Sequence, residues 1–159
     1  DMVEWRVDWF ENVFEFDKVE EVKTVLKESY QKNPDELNAF YEVFIKEKQV
    51  GFEAVKAEYE ALAKANENSW RILFSIANVF SYNEYFKEAI QMWQKTFDCM
   101  PKPRYTDSFE AMAQCCVRMG DHESAVEYYK KELELLREDW GLKYGAEVDA
   151  LEEKIRALQ

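Results

Sequence analysis

One helical hairpin is written twice in this chain, over residues 69–101 and again over 105–137. Ala89 and Ala125 are the matching small residues of the two second helices. Four residues beyond each stands a large aromatic, Trp93 and Tyr129. Nine residues before the two alanines are Phe80 and Cys116, thirteen before Ile76 and Met112, sixteen before Leu73 and Phe109. Twelve before are Ala77 and Ala113, small in both copies. A single hairpin of this kind cannot bury its own apolar face, so copies must stack. The stack presents a long surface, and such surfaces bind more often than they catalyse.

Weaker copies extend toward the N-terminus. Ala54 lies 35 residues before Ala89, close to the 36 that separate Ala89 from Ala125. A second helix carrying Ala54, Tyr59, Ala61 and Leu62 follows from that alignment. Its first helix carries Leu37, Phe40, Tyr41 and Phe44, spaced as one helical face. Gly51 stands too near Ala54 for the turn used later, so a different turn is expected there. Further back, Val19, Val22, Leu26 and Ser29 keep helical spacing, and Trp5, Trp9, Phe10, Val13 and Phe14 form an aromatic first helix. At the other end Val148, Leu151, Ile155 and Leu158 make one apolar stripe, as a terminal cap requires. Asp17 with Glu20, and Ser81 with Glu84, have capping-box spacing. Asp121 is placed to cap the helix of Ala125, directly after Gly120. Pro34 and Pro101 separate hairpins, Pro103 keeps Lys102 extended, and residues 140–145 form an irregular link.

This small–large pattern resembles the tetratricopeptide repeat family. Residues 69–101 carry it through Leu73, Ile76, Ala77, Phe80, Ala89, Trp93 and Pro101. Residues 105–137 carry it through Phe109, Met112, Ala113, Gly120, Asp121, Ala125 and Tyr129. Thr96 and Glu132 stand where the family usually has alanine, and Arg137 replaces the closing proline. The resemblance implies an all-α, right-handed solenoid of about four antiparallel hairpins, near 3–34, 35–67, 69–101 and 105–138. A capping helix near 145–158 completes a single domain over residues 1–159. It also implies that first helices line a concave face, which assigns Arg71, Phe74, Asn78 and Tyr82 to that face in one copy. Asp107, Glu110, Gln114 and Arg118 take those places in the next. Asn78 and Gln114 can both donate to and accept from an extended peptide backbone. Arg71 and Arg118 can pair with a carboxylate. Solvated polar side chains of no special role are the alternative reading of the same residues.

A narrower likeness lies in residues 101–108, Met119-Gly120-Asp121 and residues 135–141. These resemble the C-terminal repeats of bacterial transcription regulators with a phage-repressor helix-turn-helix domain. That likeness implies a DNA-binding domain upstream of Asp1, which is not an initiator methionine.

The chain offers little for catalysis. His122 is its only histidine, so no multi-histidine metal site or histidine pair can be assembled. Its four glycines are isolated and make no phosphate loop. Ser108 and Ser124 sit at helix starts and read as local N–H partners. Acidic pairs such as Glu152-Glu153 read as solvated helix faces rather than a divalent-cation site. Cys115-Cys116 are adjacent on a helix and point about 100° apart, which disfavours a bridge; one should pack and the other lie nearer the surface. The odd count of three cysteines fits reduced thiols in the cytoplasm.

The net charge of −12 opposes direct contact with a phosphate backbone. No apolar run approaches the ~20 residues that cross a bilayer. The expected function is thus a non-catalytic protein- or peptide-binding module without cofactor or metal. The narrower likeness implies the sensing or oligomerising part of a bacterial transcription regulator; the alternative is a stand-alone homodimerisation scaffold. Trp5, Trp9 and Phe10 are either buried by the second hairpin or form a dimer or docking surface.

Overall fold

The structure is a computed structural model and describes residues 37–159, together with Thr24, Lys27 and Glu28, which are helical. Trp5, Trp9, Phe10, the hairpin expected near 3–34, the Asp17–Glu20 box and Pro34 lie outside the described residues. The chain divides into two compact units, residues 1–65 and 66–159.

In the first unit, α1 (Asn38–Val50) and α2 (Phe52–Ala65) form a hairpin. Gly51 alone joins them, at φ 90°, with its N–H donating to the Glu47 carbonyl at 2.7 Å. Only glycine enters that region without a Cβ penalty, so the different turn foreseen there is a one-residue reversal. Leu37 at the N-cap and Phe40, Tyr41 and Ile45 of α1 are buried, as are Phe52, Val55 and Tyr59 of α2. Phe44 is only partly covered and stacks on Phe40 at 5.7 Å.

The alignment on Ala54 is off by one residue. Ala54 is exposed, whereas Val55 and Tyr59 are fully buried. Val55 and Tyr59 therefore hold the places of Ala89 and Trp93. The large aromatic anchors the register, and the small residue four positions earlier need not be alanine.

The second unit holds α3 (Trp70–Tyr82), α4 (Phe86–Asp98), α5 (Asp107–Arg118), α6 (His122–Trp140) and α7 (Ala146–Leu158). Each helix packs on the next, and α3 also touches α5. That last contact brings the first helices of the two hairpins side by side. The repeat positions form the core as the pattern requires: Leu73, Ile76, Ala77, Phe80, Ala89, Met112, Ala113 and Ala125 are all fully buried. Burying one such large apolar side chain stabilises by about 1.5–3 kcal/mol, which is why the stack and not the isolated hairpin is stable.

The turns confirm one capping expectation and reverse another. The Asp121 side chain accepts from the Ser124 N–H at 3.1 Å, and Gly120 before it has φ 79°. Ser81 and Glu84 start no helix. Ser81 lies in the last turn of α3, and Glu84 takes the left-handed place, φ 66°, that Gly120 fills in the second copy. The Ser81 hydroxyl is instead engaged by a side chain of the next helix, described below.

At the end of the unit, Gly141 closes α6 in the left-handed region and residues 141–145 link it to α7. Trp140 itself is still helical. Val148 and Leu151 bury against Ala113, Tyr129, Leu133 and Leu136, with Ile155 and Leu158 at the margin. The apolar stripe thus faces inward on the stack.

Candidate functional site

Residues 71, 74, 78 and 82 recur every three or four positions, so α3 presents them on one face. On α5, Gln114 and Arg118 are one turn apart. Asn78 and Gln114 are exposed, and Tyr82 is 82% exposed, unusual for so large a ring. Phe74 is only partly exposed, because its ring packs edge-on against Trp93 with centroids 5.0 Å apart. Arg71 is likewise half-buried.

Two of the polar residues are already engaged. Arg118 donates to Glu84 at 2.6 Å and lies 4.7 Å above the Phe86 ring. This pair ties the end of the first hairpin to the second, so a carboxylate ligand would have to displace Glu84. Gln114 donates to Glu110 at 3.4 Å, and Glu110 also receives Lys154 of α7 at 3.2 Å.

Within each unit taken by itself, the polar group of a buried aromatic anchor is satisfied by a recurring device. In the first unit the Tyr59 hydroxyl donates to Glu47, twelve residues back, at 2.8 Å. Burial raises that hydroxyl far above the usual tyrosine range, and the Glu47 carboxylate adds to the effect. In the second unit the Trp93 indole N–H donates to Ser81, also twelve residues back, at 2.9 Å. Ser81 Oγ in turn lies 3.6 Å from the Cys115 sulfur. Tyr129, the third anchor, has Val117 at that spacing, and the Lys154 ammonium sits 5.5 Å from its ring.

Sequence reasoning missed a second cluster at the edge of the unit. Arg104 grips Asp139 through Nε at 2.9 Å and Nη2 at 3.1 Å, and its backbone N–H donates to the same carboxylate at 2.9 Å. The Asp139 side chain is 1% exposed. The bonds from Arg104 hold its carboxyl well below the usual range, at about 2. The Trp140 indole donates to the Arg104 carbonyl at 2.7 Å. Tyr105 stacks on Trp140 at 6.5 Å and meets Trp70 at 5.8 Å. The signal was present in the sequence, since 70, 105 and 140 are spaced by 35. This clamp also joins residues 101–108 to residues 135–141, two of the three segments that carried the narrower likeness. Across it, the Lys102–Pro103 bond is cis.

Cys99, Cys115 and Cys116 are free thiols. Cys115 and Cys116 are both buried, so neither lies nearer the surface as expected. The helix is covered on both of those faces, by α4 and by α6. Burial raises the Cys116 thiol to about 11 and the Cys115 thiol also upward, which suppresses the nucleophilic thiolate. Ser108 is no exposed cap: it is fully buried, and its hydroxyl has no hydrogen-bond partner. Ser124 donates its backbone N–H to Asp121. His122 is the exposed first residue of α6. Among the described residues, no group of three or more His, Cys, Asp and Glu could hold a metal ion.

No protein-family model matches the chain, and no curated protein matches it by sequence. A solved structure does: PilF of Pseudomonas aeruginosa, a protein with tetratricopeptide repeats, in a structure described as its functional characterization. The similarity covers 98% of this chain with a TM-score of 0.63 at 15% identity. The fold is tetratricopeptide-like. The chain spans 66% of the PilF chain. Among the described residues, no helix is long and apolar enough to cross a membrane.

Proposed function

We propose that this chain is a non-catalytic module that holds an extended segment of a partner protein along the joined faces of α3 and α5. The exposure of Tyr82 carries this reading. It offers a large ring at the rim of a face where Asn78 and Gln114 can bond a peptide backbone. Phe74 supplies apolar contact, and Arg71 and Arg118 frame the face, the latter by exchanging Glu84 for a ligand carboxylate. The net charge of −12 keeps the module off nucleic acid and favours a protein partner. The three free thiols suit a cytoplasmic location.

Within this reading the chain serves as the sensing or oligomerising part of a bacterial transcription regulator. The pairing of residues 101–108 with 135–141 supports it, because two of the three segments that carry that likeness form one clamp. Trp5, Trp9 and Phe10 are assigned to a homodimer or docking contact on their composition alone. A gene in which no helix-turn-helix domain precedes Asp1 would overturn the regulator part.

The groove is tested with a peptide selected from a random display library on the full chain. Its affinity, followed by calorimetry, is expected to fall about tenfold or more for Tyr82→Ala and for Asn78→Ala with Gln114→Ala. Tyr144→Ala, which removes a ring that is 84% exposed in the link before α7, should leave affinity unchanged. Selected peptides that ignore Asn78, Tyr82 and Gln114 overturn the reading.

A further inference from the structure

Glu132 lies in α6 with 5% exposure, and its Oε2 is buried without a hydrogen-bond partner. A buried carboxylate in that condition is costly while charged. The equivalent residue of the preceding hairpin, Thr96, is fully buried but bonds back to the Met92 carbonyl at 2.8 Å. A glutamate cannot satisfy itself that way, because an ionised carboxylate only accepts.

Its surroundings add to the cost. Asp107 and Glu110 face it from α5, Glu147 and Lys154 from α7, and Tyr129 lies one turn before it on α6. Lys154 is the one cation in that set, and it is committed to Glu110 at 3.2 Å and to the Tyr129 ring. Burial tends to lower the Lys154 charge, but the hydrogen bond and charge of Glu110 outweigh it. Burial first, and then the charge of Glu110, push the Glu132 carboxyl up to about 7.

The strain falls on a helix that can yield. Among the described helices, α7 packs chiefly on α6 and meets α5 at Ala113 and through Lys154. It can open without unfolding the hairpins, whereas α4, α5 and α6 are each held on both sides.

We propose that α7 is a pH-controlled latch, seated while Glu132 is protonated and loosened when Glu132 carries charge. Opening admits water to the carboxylate and releases Lys154 from Glu110. Because Glu110 also receives Gln114, the latch reports on the α5 face, but it does not depend on any ligand there.

The test is hydrogen exchange of the full chain, resolved by segment and corrected for intrinsic rates. With the carboxyl at an ordinary 4.5 when open and about 7 when seated, opening of α7 should rise about tenfold between pH 6 and pH 8. Protection of α3 and α4 should not follow it. Glu132→Gln should abolish the rise and hold α7 at pH 8 as it is held at pH 6. A flat wild-type profile, an equal rise in every helix, or an unchanged rise in Glu132→Gln would overturn the proposal. If that variant does not fold, carboxyl carbon NMR of the wild type decides. Titration of Glu132 near pH 7 supports the latch, and titration near pH 4.5 overturns it.

Discussion

The hairpins α3–α4 and α5–α6 share one plan and differ in how they treat what they bury. In the first, the anchor Trp93 finds Ser81, and Thr96 finds a carbonyl of its own helix. In the second, Tyr129 leans on a lysine from the next helix, and Glu132 leaves an oxygen unpartnered. The first hairpin is satisfied from within. The second depends on α7 and on the Arg104–Asp139 clamp. A repeat therefore fixes backbone and packing while leaving polar closure to be solved copy by copy.

The largest expected effect comes from Trp93→Ala. The side chain is 2% exposed, and its loss leaves a cavity and strips Ser81 of its donor. A cost of about 3–5 kcal/mol is expected by chemical denaturation. Equal losses for Trp93→Ala and Tyr129→Ala would erase the difference drawn between the hairpins.

Next in size is Arg104→Ala, which strands the buried Asp139 carboxylate and should cost about 2–3 kcal/mol at neutral pH. The sign with pH follows from the lowered carboxyl. The folded chain holds Asp139 ionised more readily than the unfolded chain does. Its stabilisation is thus complete above pH 3.8 and is lost as pH falls toward 2. The gap between variant and wild type should narrow over that interval; a constant gap would show that Arg104 acts through packing alone.

Glu132→Gln should act in the opposite direction. The folded chain binds the Glu132 proton more tightly than the unfolded chain. Wild-type stability from this group therefore falls as pH rises from 4.5 to about 7, and the full penalty applies above that. The variant should be more stable than wild type at pH 8 and little changed at pH 5 in paired denaturation curves. A gain independent of pH would remove charge from the explanation.

Smallest of the set is Trp93→Phe, which keeps most of the packing and leaves Ser81 without its indole donor. A loss of about 1 kcal/mol is expected. A neutral result in thermal melts would mean that the Cys115 sulfur, 3.6 Å from Ser81, suffices as a partner.

The core of residues 69–137 was legible because apolar periodicity and the small–large pairing are local properties of the chain. Gly120 and Asp121 were legible for the same reason, since cap chemistry acts within a few residues. Ala54 misled because alanine is common on exposed helix faces as well as in crowded interfaces. Ser81 misled because its hydroxyl has two plausible uses, a helix start or a distant indole, and only packing chooses between them. Cys116 hid its burial for a related reason: adjacent helical residues point apart, yet both faces of α5 are covered.

The groove residues divide along the same line. Spacing alone put Arg71, Phe74, Asn78 and Tyr82 on one face. It could not show that Phe74 is half used by Trp93 or that Arg118 is paired with Glu84, 34 residues away. The edge cluster of Trp70, Arg104, Tyr105, Asp139 and Trp140 was written in a 35-residue spacing, but aromatic and charged residues at that interval have no meaning until the hairpins stack.

By itself, then, the sequence determined that the described residues are helical and which repeat positions of residues 69–137 form the core, because those follow from periods of a few residues along one chain. The tertiary structure decided which buried polar groups are satisfied. A hydrogen bond or ion pair between helices depends on angstrom-scale approach across the stack. Glu132 is the sharpest case: its place in the repeat was plain, but only the packing around α6 leaves its carboxylate buried with one oxygen unpartnered.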